Sequence, residues 1–314
     1  MNKKLTIHDI AKLAGVGKST VSRVITNDPK VKPATRDLVE KVIAESGYVP
    51  SKSAQSMRGG SQKVIGVIIS RLDSPSENRA VSSILECLYK AGYDVVIMES
   101  QFDREKTNEH LDVLKKRNVD GVIVFGFTGC DVKKIAKWKD KMVVIAMHMD
   151  AVSSINYDNA GVIEKSLDYL CQRELSEIAY IGVDPSDKTT GEIRLSAYLN
   201  WCVTKGIEPS YKTGQLSHDS GYALVDDVLK PATQAIACAS DTLALGVIKR
   251  LQELGREDVM VTGVGGNTLL SFLFPNTYSV DPGYQQAGYS AANLLIKQLL
   301  GASGQKHLTQ QPLD

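Results

Sequence analysis

The segment that decides the first part of the fold is residues 5–25, LTIHDIAKLAGVGKSTVSRVI. Thr6 and Asp9 have the Ser/Thr-x-x-Asp/Glu spacing of a capping box, which begins a helix. Gly15 is typical of the left-handed position that ends one. Only two residues then precede a second short helix, predicted over residues 18–25. Two helices joined so tightly must cross steeply, and the segment therefore predicts a helix-turn-helix.

A third helix is predicted between Lys32 and Gly47. Pro33 is favoured in the first turn of a helix, and glycine is favoured just after its last turn. Apolar residues recur between these limits at the spacing of one helical face. They are Leu38, Val39, Val42 and Ile43. Residues 1–47 therefore predict a small three-helix domain.

Positive charge is concentrated at the start of the chain. Residues 1–60 contain eleven Lys or Arg and five Asp or Glu, a net charge of +6, whereas the remaining residues carry −5. This asymmetry favours contact of the first part with a polyanion, although a solvated lysine-rich face would give the same numbers.

In a helix-turn-helix, the second helix lies in the major groove of DNA. Lys18, Ser19 and Arg23 are therefore expected near base edges. Thr20 and Ser22 can reach phosphate or base, or can serve only as helix caps and surface polar groups. The candidate DNA-binding residues of this domain are Thr6, Lys18, Ser19, Thr20, Ser22 and Arg23.

The run AGVGKSTVSRV, residues 14–24, resembles the helix-turn-helix of the lactose-repressor family of transcription regulators. Ala11, Gly15 and Val21 match its small, glycine and β-branched positions. The resemblance implies a sequence-specific, DNA-binding repressor that acts as a homodimer on a palindromic operator.

Residues 48–60 link this domain to the rest of the chain, and residues 52–58 span barely two helical turns. So short a helix is unstable alone in water. In the family, this segment is a hinge helix that pairs with its dimer mate in the minor groove and wedges an apolar side chain between base pairs. The resemblance assigns Ser51, Ala54 and Met57 to that contact, and a flexible tether is the alternative.

From residue 61 onwards, short apolar runs alternate with amphipathic helices such as residues 77–91 and 104–117. Near-continuous apolar runs are typical of strands in a parallel sheet that is covered on both faces. The predicted strands are residues 64–70, 93–99, 119–127 and 142–147, and then 178–183, 235–239 and 259–264. Two such series predict an α/β ligand-sensing domain over residues 61–314, with a cleft between two lobes. The family resemblance implies that this domain also carries dimerisation. Lobe one would hold about 61–160 and 290–314, and lobe two about 161–289.

Ligands of such folds meet the loops at the carboxyl ends of strands. Arg71 follows the first strand and precedes Ser74 and Ser76 at a helix start, a donor set that suits a phosphate or another anion. An ordinary N-cap, or a salt bridge of Arg71 with Asp73 or Glu77, is the alternative. Polar helix starts also follow two strands of lobe two. The candidate ligand-binding residues are Arg71, Leu72, Asp73, Ser74, Ser76, Glu77, Asp187, Thr189, Thr190, Arg194, Thr242 and Asn267.

The body of the chain resembles the sensing domain of the same family and the type I periplasmic sugar-binding proteins, most closely those family members that respond to trehalose. The segments concerned are residues 71–74, 98–102, 120–129, 189–191, 241–246 and 280–284. This resemblance implies trehalose 6-phosphate as the effector and assigns Gly126, Thr242 and Tyr284 to sugar contacts. At residue 147 the family pattern predicts an arginine, and this chain has Met147. A different sugar, or a purine-type corepressor, is the alternative.

An enzyme is not expected, because the five histidines show no metal-ligand spacing and no paired nucleophile motif. We therefore expect no cofactor. The five cysteines are odd in number and lack a Cys-x-x-Cys pair, which is typical of reduced thiols in a cytosol. No apolar run is long enough for a signal peptide or a membrane span, so a cytoplasmic protein is expected.

Overall fold

The computed structural model describes residues 5–26, 28–48 and 62–313. The chain separates into two compact units, residues 1–62 and 63–314, which we call the head and the body. Helices make up the described part of the head, and the body contains two parallel sheets, so the predicted fold class is confirmed. The hinge residues Ser51, Ala54 and Met57 lie outside the described residues.

The head contains the helix-turn-helix and the third helix in the predicted places. Its helices are α1 (Ile7–Leu13), α2 (Lys18–Ile25) and α3 (Pro33–Ser46). Both halves of the capping box between Thr6 and Asp9 are present. Gly15 and Gly47 have φ values of 62° and 64°, in the left-handed region that glycine adopts without strain. The core of this unit is Ile10, Ala11, Ala14, Val21, Val24 and Val39.

Lobe one of the body is built on a six-stranded parallel sheet with the strand order β11-β5-β4-β3-β1-β2. Its strands are β1 (Val64–Ile69), β2 (Asp94–Glu99), β3 (Gly121–Phe125), β4 (Met142–Ile145), β5 (Ser153–Tyr157) and β11 (His307–Gln310). The central strands β3 and β4 are buried along their whole length, as their unbroken apolar sequences require. The strand predicted over residues 142–147 ends two residues early, because Ala146 has a φ of 69°.

Helices cover the sheet of lobe one on its two faces, as two separate apolar clusters show. They are α4 (Pro75–Lys90), α5 (Arg104–Lys116), α6 (Val132–Ala136) and α13 (Tyr284–Leu299). Gly288 lets α13 approach α4 closely, because a Cβ atom there would overlap the carbonyl of Ala80. The final helix of the chain therefore belongs to the lobe that the chain builds first.

Lobe two is built on a five-stranded parallel sheet with the order β10-β9-β8-β6-β7. Its strands are β6 (Ile178–Val183), β7 (Tyr211–Gly214), β8 (Ala235–Cys238), β9 (Met260–Val264) and β10 (Thr277–Val280). Its helices are α7 (Gly161–Cys171), α8 (Arg194–Lys205), α9 (His218–Ala223), α10 (Val225–Val228), α11 (Asp241–Glu253) and α12 (Thr268–Leu273). A π-helical turn, Lys188–Ile193, leads directly into α8.

The chain passes between the lobes after β5 and again after β10. A third link is the backbone bridge between Asp281 and Leu313, beyond β11.

All five cysteines are free thiols. None of the helices in the described ranges combines the length and apolarity that crossing a lipid bilayer requires.

Candidate DNA-binding face and effector cleft

The α2 helix presents its polar residues outward and its apolar residues to the core of the head. Lys18, Ser19 and Arg23 are exposed, and Thr20 and Ser22 are partly buried. The side chain of Arg23 is 61% exposed, and its Nε atom lies 3.9 Å from a carboxylate oxygen of Asp28. Because the Asp28 contact is long and exposed, it leaves the guanidinium available to a stronger anion.

Thr6 is placed differently from the residues of α2. Its hydroxyl donates to Asp9 Oδ2 at 2.6 Å, and its backbone amide donates to the same oxygen at 2.8 Å. The Thr6 hydroxyl oxygen also accepts the backbone amide of Asp9 at 3.4 Å, so this side chain caps α1 although the residue remains exposed.

At the end of β1, the polar residues of the Arg71–Asn78 segment form one cluster. Glu77 Oε2 accepts the backbone amide of Ser70 at 2.7 Å, and that of Arg71 at 3.4 Å. Burial raises the pKa of Glu77, and these amides oppose the effect only in part. Ser74 is the N-cap of α4, and its hydroxyl lies 2.9 Å from that of Ser76.

Arg71 itself has only weak partners in this cluster. Its Nε lies 3.7 Å from Asp73 Oδ1, and that carboxylate is 83% exposed. Its guanidinium lies 5.7 Å from the ring centre of Phe102. The Nε atom is buried, and within the described residues it has no hydrogen-bond partner. A buried donor without a partner is costly, and an anionic ligand would satisfy it.

Leu72 and Met147 contribute apolar side chains in the segments that follow β1 and β4. Leu72 is exposed, and its backbone amide donates to Glu99 Oε1 at 2.8 Å. Gly126 and Met147 lie side by side after β3 and β4, and a Cβ atom on Gly126 would lie 2.7 Å from the Cβ of Met147. The sequence predicted both positions, and the structure brings them into contact.

Asp187 organises the first polar helix start of lobe two. Its Oδ1 atom accepts the backbone amides of Thr189 and Thr190 at 3.0 and 2.7 Å. The same oxygen accepts their hydroxyls at 3.1 and 2.8 Å. Because both hydroxyl protons point to Asp187, the two threonine oxygens can only accept hydrogen bonds from a ligand.

Arg194 is buried, with 2% of its surface exposed. Its Nε donates to Asn159 Oδ1 at 2.9 Å, and its Nη1 donates to the carbonyl of Ala239. It lies close to Tyr284, whose pKa is raised by burial and lowered to a lesser extent by this guanidinium. The Tyr284 ring meets the ring of Tyr157 edge-on, with 5.0 Å between their centres. Arg194 therefore joins the start of lobe two to the crossover that carries Tyr284.

Asp241 adjoins the two remaining predicted residues, Thr242 and Asn267. Its Oδ2 accepts the backbone amide of Asn267 at 3.0 Å, and its Oδ1 accepts the hydroxyl of Ser279 at 2.7 Å. Burial raises the pKa of Asp241 to about 6, against these stabilising hydrogen bonds. Thr242 follows it at the start of α11, and Asn267 caps α12.

Three polar residues of this region were not predicted from the sequence, namely Arg79, Asn159 and Ser279. Asn159 follows a strand and precedes a helix, a position that the rule on strand ends could have selected. Arg79 and Ser279 lie within a helix and a strand, and no local signal marks them.

A helix-turn-helix head followed by two parallel-sheet lobes, with polar loops where the strands end, is the architecture of a ligand-responsive DNA-binding regulator. Residues 6–51 match the family model for bacterial regulatory proteins of the lacI family. Residues 167–313 match the model for a periplasmic binding protein-like domain.

Relatives of known name agree with this class. The HTH-type transcriptional regulator TreR of Escherichia coli K12 is 45% identical over 303 residues, which cover 96% of each chain. TreR of Salmonella typhimurium LT2 is 45% identical over 301 residues, again 96% of each chain. The maltose regulon regulatory protein MalI of Escherichia coli K12 is 29% identical and covers 81% of this chain and 77% of its own.

Solved structures have the same fold. The trehalose repressor from Escherichia coli has a TM-score of 0.78 and 41% identity, covering 79% of this chain and 98% of that one. The lac repressor dimer bound to operator and the anti-inducer ONPF has a TM-score of 0.86 and 21% identity, covering 99% and 97%.

The chain belongs to the lacI family of bacterial regulatory proteins. It is a DNA-binding transcription regulator, not an enzyme, as the sequence predicted.

Proposed function

We propose that this protein represses genes for trehalose use and that trehalose 6-phosphate releases it from its operator. The trehalose assignment is supported by the 41% identity to the trehalose repressor from Escherichia coli. The observation that supports a phosphate group on the effector is the buried Nε of Arg71, which has no hydrogen-bond partner in the described structure.

The β1–α4 loop offers the three kinds of donor that a phosphate uses. They are the Arg71 guanidinium, the hydroxyls of Ser74 and Ser76, and the backbone amide of Ser76 in the first turn of α4, since the amides of Glu77 and Asn78 already donate to Ser74. Glu77 and Asp73 both lie near Arg71 and offset its charge only in part. Glu77 accepts backbone amides, and Asp73 is largely exposed to solvent. The loop therefore favours an anionic group over a neutral one.

Lobe two supplies acceptors for the sugar hydroxyls. The hydroxyls of Thr189 and Thr190 donate hydrogen bonds to Asp187, so their oxygens can accept hydrogen bonds from a diol. Asn267, Thr242 and Tyr284 follow at the ends of neighbouring strands. In this proposal the phosphate lies against lobe one, and the sugar lies against both lobes.

On the operator, the head would place α2 in the major groove, with Lys18 and Arg23 at base edges or phosphates. A palindromic operator needs two heads, so we propose a homodimer. Support comes from the exposed apolar side chains of α12, since Phe272 is 81% and Leu269 58% exposed. Ser51, Ala54 and Met57 would form the hinge in the minor groove.

Effector binding would close the lobes and separate the two hinge segments of the dimer. Because coupling between two sites is reciprocal, operator DNA must then weaken effector binding by the same factor, about 5–150-fold for about 1–3 kcal/mol.

The test is calorimetric titration of Arg71→Met with trehalose 6-phosphate and with trehalose. Affinity for the phosphate should fall about tenfold or more, with little change for trehalose. Arg104→Met is the matched control, because Arg104 is an exposed arginine at the start of α5. Equal losses for both sugars would mean that Arg71 supports the lobe and that the phosphate binds elsewhere.

Met147 favours a second candidate, a neutral disaccharide, because the arginine of the family pattern is absent there. If the wild-type protein binds trehalose more tightly than trehalose 6-phosphate, the neutral sugar is the effector. Binding of a purine alone would exclude both sugars.

A further inference from the structure

Arg79 lies on α4 of lobe one, but its partners belong to lobe two. Its Nη1 atom donates to the carbonyl oxygens of Gly265 and Gly266 at 2.8 and 3.2 Å. Its Nη2 atom donates to Asp281 Oδ2 at 2.5 Å. One guanidinium therefore joins the β9–α12 loop to the crossover that follows β10.

The loop that Arg79 holds has little freedom. The Gly266 amide donates to the Ser279 hydroxyl at 2.8 Å, and the Gly265 amide donates to the Val280 carbonyl at 2.8 Å. Gly266 has a φ of 62°, and a Cβ atom there would lie 2.8 Å from Arg79 Nη1. The backbone is thus held on one side by β10 and on the other by a side chain from lobe one.

The Asp281 carboxylate extends the same contact towards Tyr284. Its Oδ1 atom accepts the backbone amide of Gly283 at 2.8 Å, while its Oδ2 atom accepts Arg79. The next residue after Gly283 is Tyr284, the first residue of α13. The next residue after Gly266 is Asn267.

We propose that Arg79 is a positioning residue of the effector site, which fixes from lobe one the two backbone segments that carry Asn267 and Tyr284. This inference rests on the proposed function, because it takes those two residues as effector contacts.

Arginine suits this position better than lysine, because its planar fork can donate to two carbonyls and a carboxylate at once. The side chain is 35% exposed, and that of Asp281 is 20% exposed. An ion pair alone at this exposure would contribute little to stability. The hydrogen bonds to the two carbonyl oxygens are therefore what calls for an arginine at this position.

The test uses the full-length variants Arg79→Lys and Arg79→Met, with Arg104→Met as the control. Hydrogen–deuterium exchange without ligand should be about five- to tenfold faster in peptides spanning residues 262–283 for both Arg79 variants, and unchanged in α5. Unchanged exchange in residues 262–283, or faster exchange throughout the body, would overturn the proposal.

Calorimetry supplies the second measurement. Affinity for trehalose 6-phosphate should fall about tenfold in both Arg79 variants. Asp281→Asn should add little to Arg79→Met, since the two partners act together. Unchanged affinity would overturn the proposal. If the wild-type protein binds neither trehalose 6-phosphate nor trehalose, the proposed effector is wrong, and the exchange pattern alone decides the role of Arg79.

Discussion

The backbone amide of Lys188 in lobe two donates a hydrogen bond to the hydroxyl of Thr128 in lobe one, at 3.0 Å. Lys188 directly precedes Thr189 and Thr190, and Thr128 lies two residues beyond Gly126. The two walls of the candidate cleft are therefore joined beside the proposed effector contacts.

Thr128→Val keeps the shape of the side chain and removes this acceptor. If effector binding requires the walls to approach here, affinity for trehalose 6-phosphate should fall about fivefold, the value of one hydrogen bond of about 1 kcal/mol. Titration calorimetry measures the change. Thr204→Val is the control, because the Thr204 hydroxyl bonds only within the exposed face of α8. Equal affinities for Thr128→Val and wild type would contradict the expectation.

Asp241 predicts a pH dependence of stability. Its pKa in the folded protein is about 6, above the ordinary value of 3.8, because burial disfavours the carboxylate. The folded state therefore binds the proton more tightly than the unfolded state. Above pH 6 the ionised Asp241 lowers the free energy of unfolding. This free energy rises again as the pH falls from 6 towards 4.

Asp241→Asn removes this titration and keeps an acceptor for Ser279 and the amide of Asn267. Between about pH 7 and pH 4, the unfolding free energy of the wild type should rise by about 2–3 kcal/mol relative to that of the variant. Urea unfolding followed by tryptophan fluorescence checks this. The exposed Asp219→Asn in α9 should leave the wild-type profile unchanged. Parallel profiles for wild type and Asp241→Asn would refute the assignment.

Arg23→Ala should weaken operator binding by about 1–3 kcal/mol, because it removes a donor to base or phosphate from α2. Fluorescence anisotropy at fixed salt, with an operator selected from random duplexes, measures the loss. Lys41→Ala removes an exposed charge from α3 and should have little effect. A folded Arg23→Ala protein with full operator affinity would show that Arg23 does not contact the operator.

Met147→Arg places a guanidinium beside Gly126, in addition to that of Arg71 after β1. Affinity for trehalose 6-phosphate should rise about tenfold relative to trehalose, because the new cation pairs with the phosphate. Met147→Leu keeps the position apolar and should leave the ratio of the two affinities unchanged. A parallel change for both sugars in Met147→Arg would place the phosphate away from residue 147.

Strands that are buried on both faces were predictable because their apolar runs are continuous. The predicted residues 119–127 and 178–183 correspond to β3 and β6, with ends shifted by at most two residues. Strands β7 and β11 were missed, because they lie at sheet edges and are largely exposed. β5 was missed because its buried Ser153 and Ser154 interrupt the apolar pattern.

The candidate site was predictable only where polar residues lie at the helix start that follows a strand. Thr189 and Thr190 fit that rule, and their common partner Asp187 lies within a few residues. The contact between Arg79 and Asp281 joins residues that are 202 positions apart, within different lobes. No local pattern specifies such a pair, since only the fold brings it together.

The pairing of β11 with β5 sets an order of events during synthesis. Residues 178–280 contain all the strands of lobe two, whereas the edge of β5 gains its neighbour only when residue 307 has been made. Ribosomes add about 5–20 residues per second, so β5 waits roughly 8–30 s with a free edge while lobe two can already fold. An unpaired edge is a site of intermolecular pairing. The nascent chain is therefore most exposed to aggregation in the lobe whose synthesis begins first.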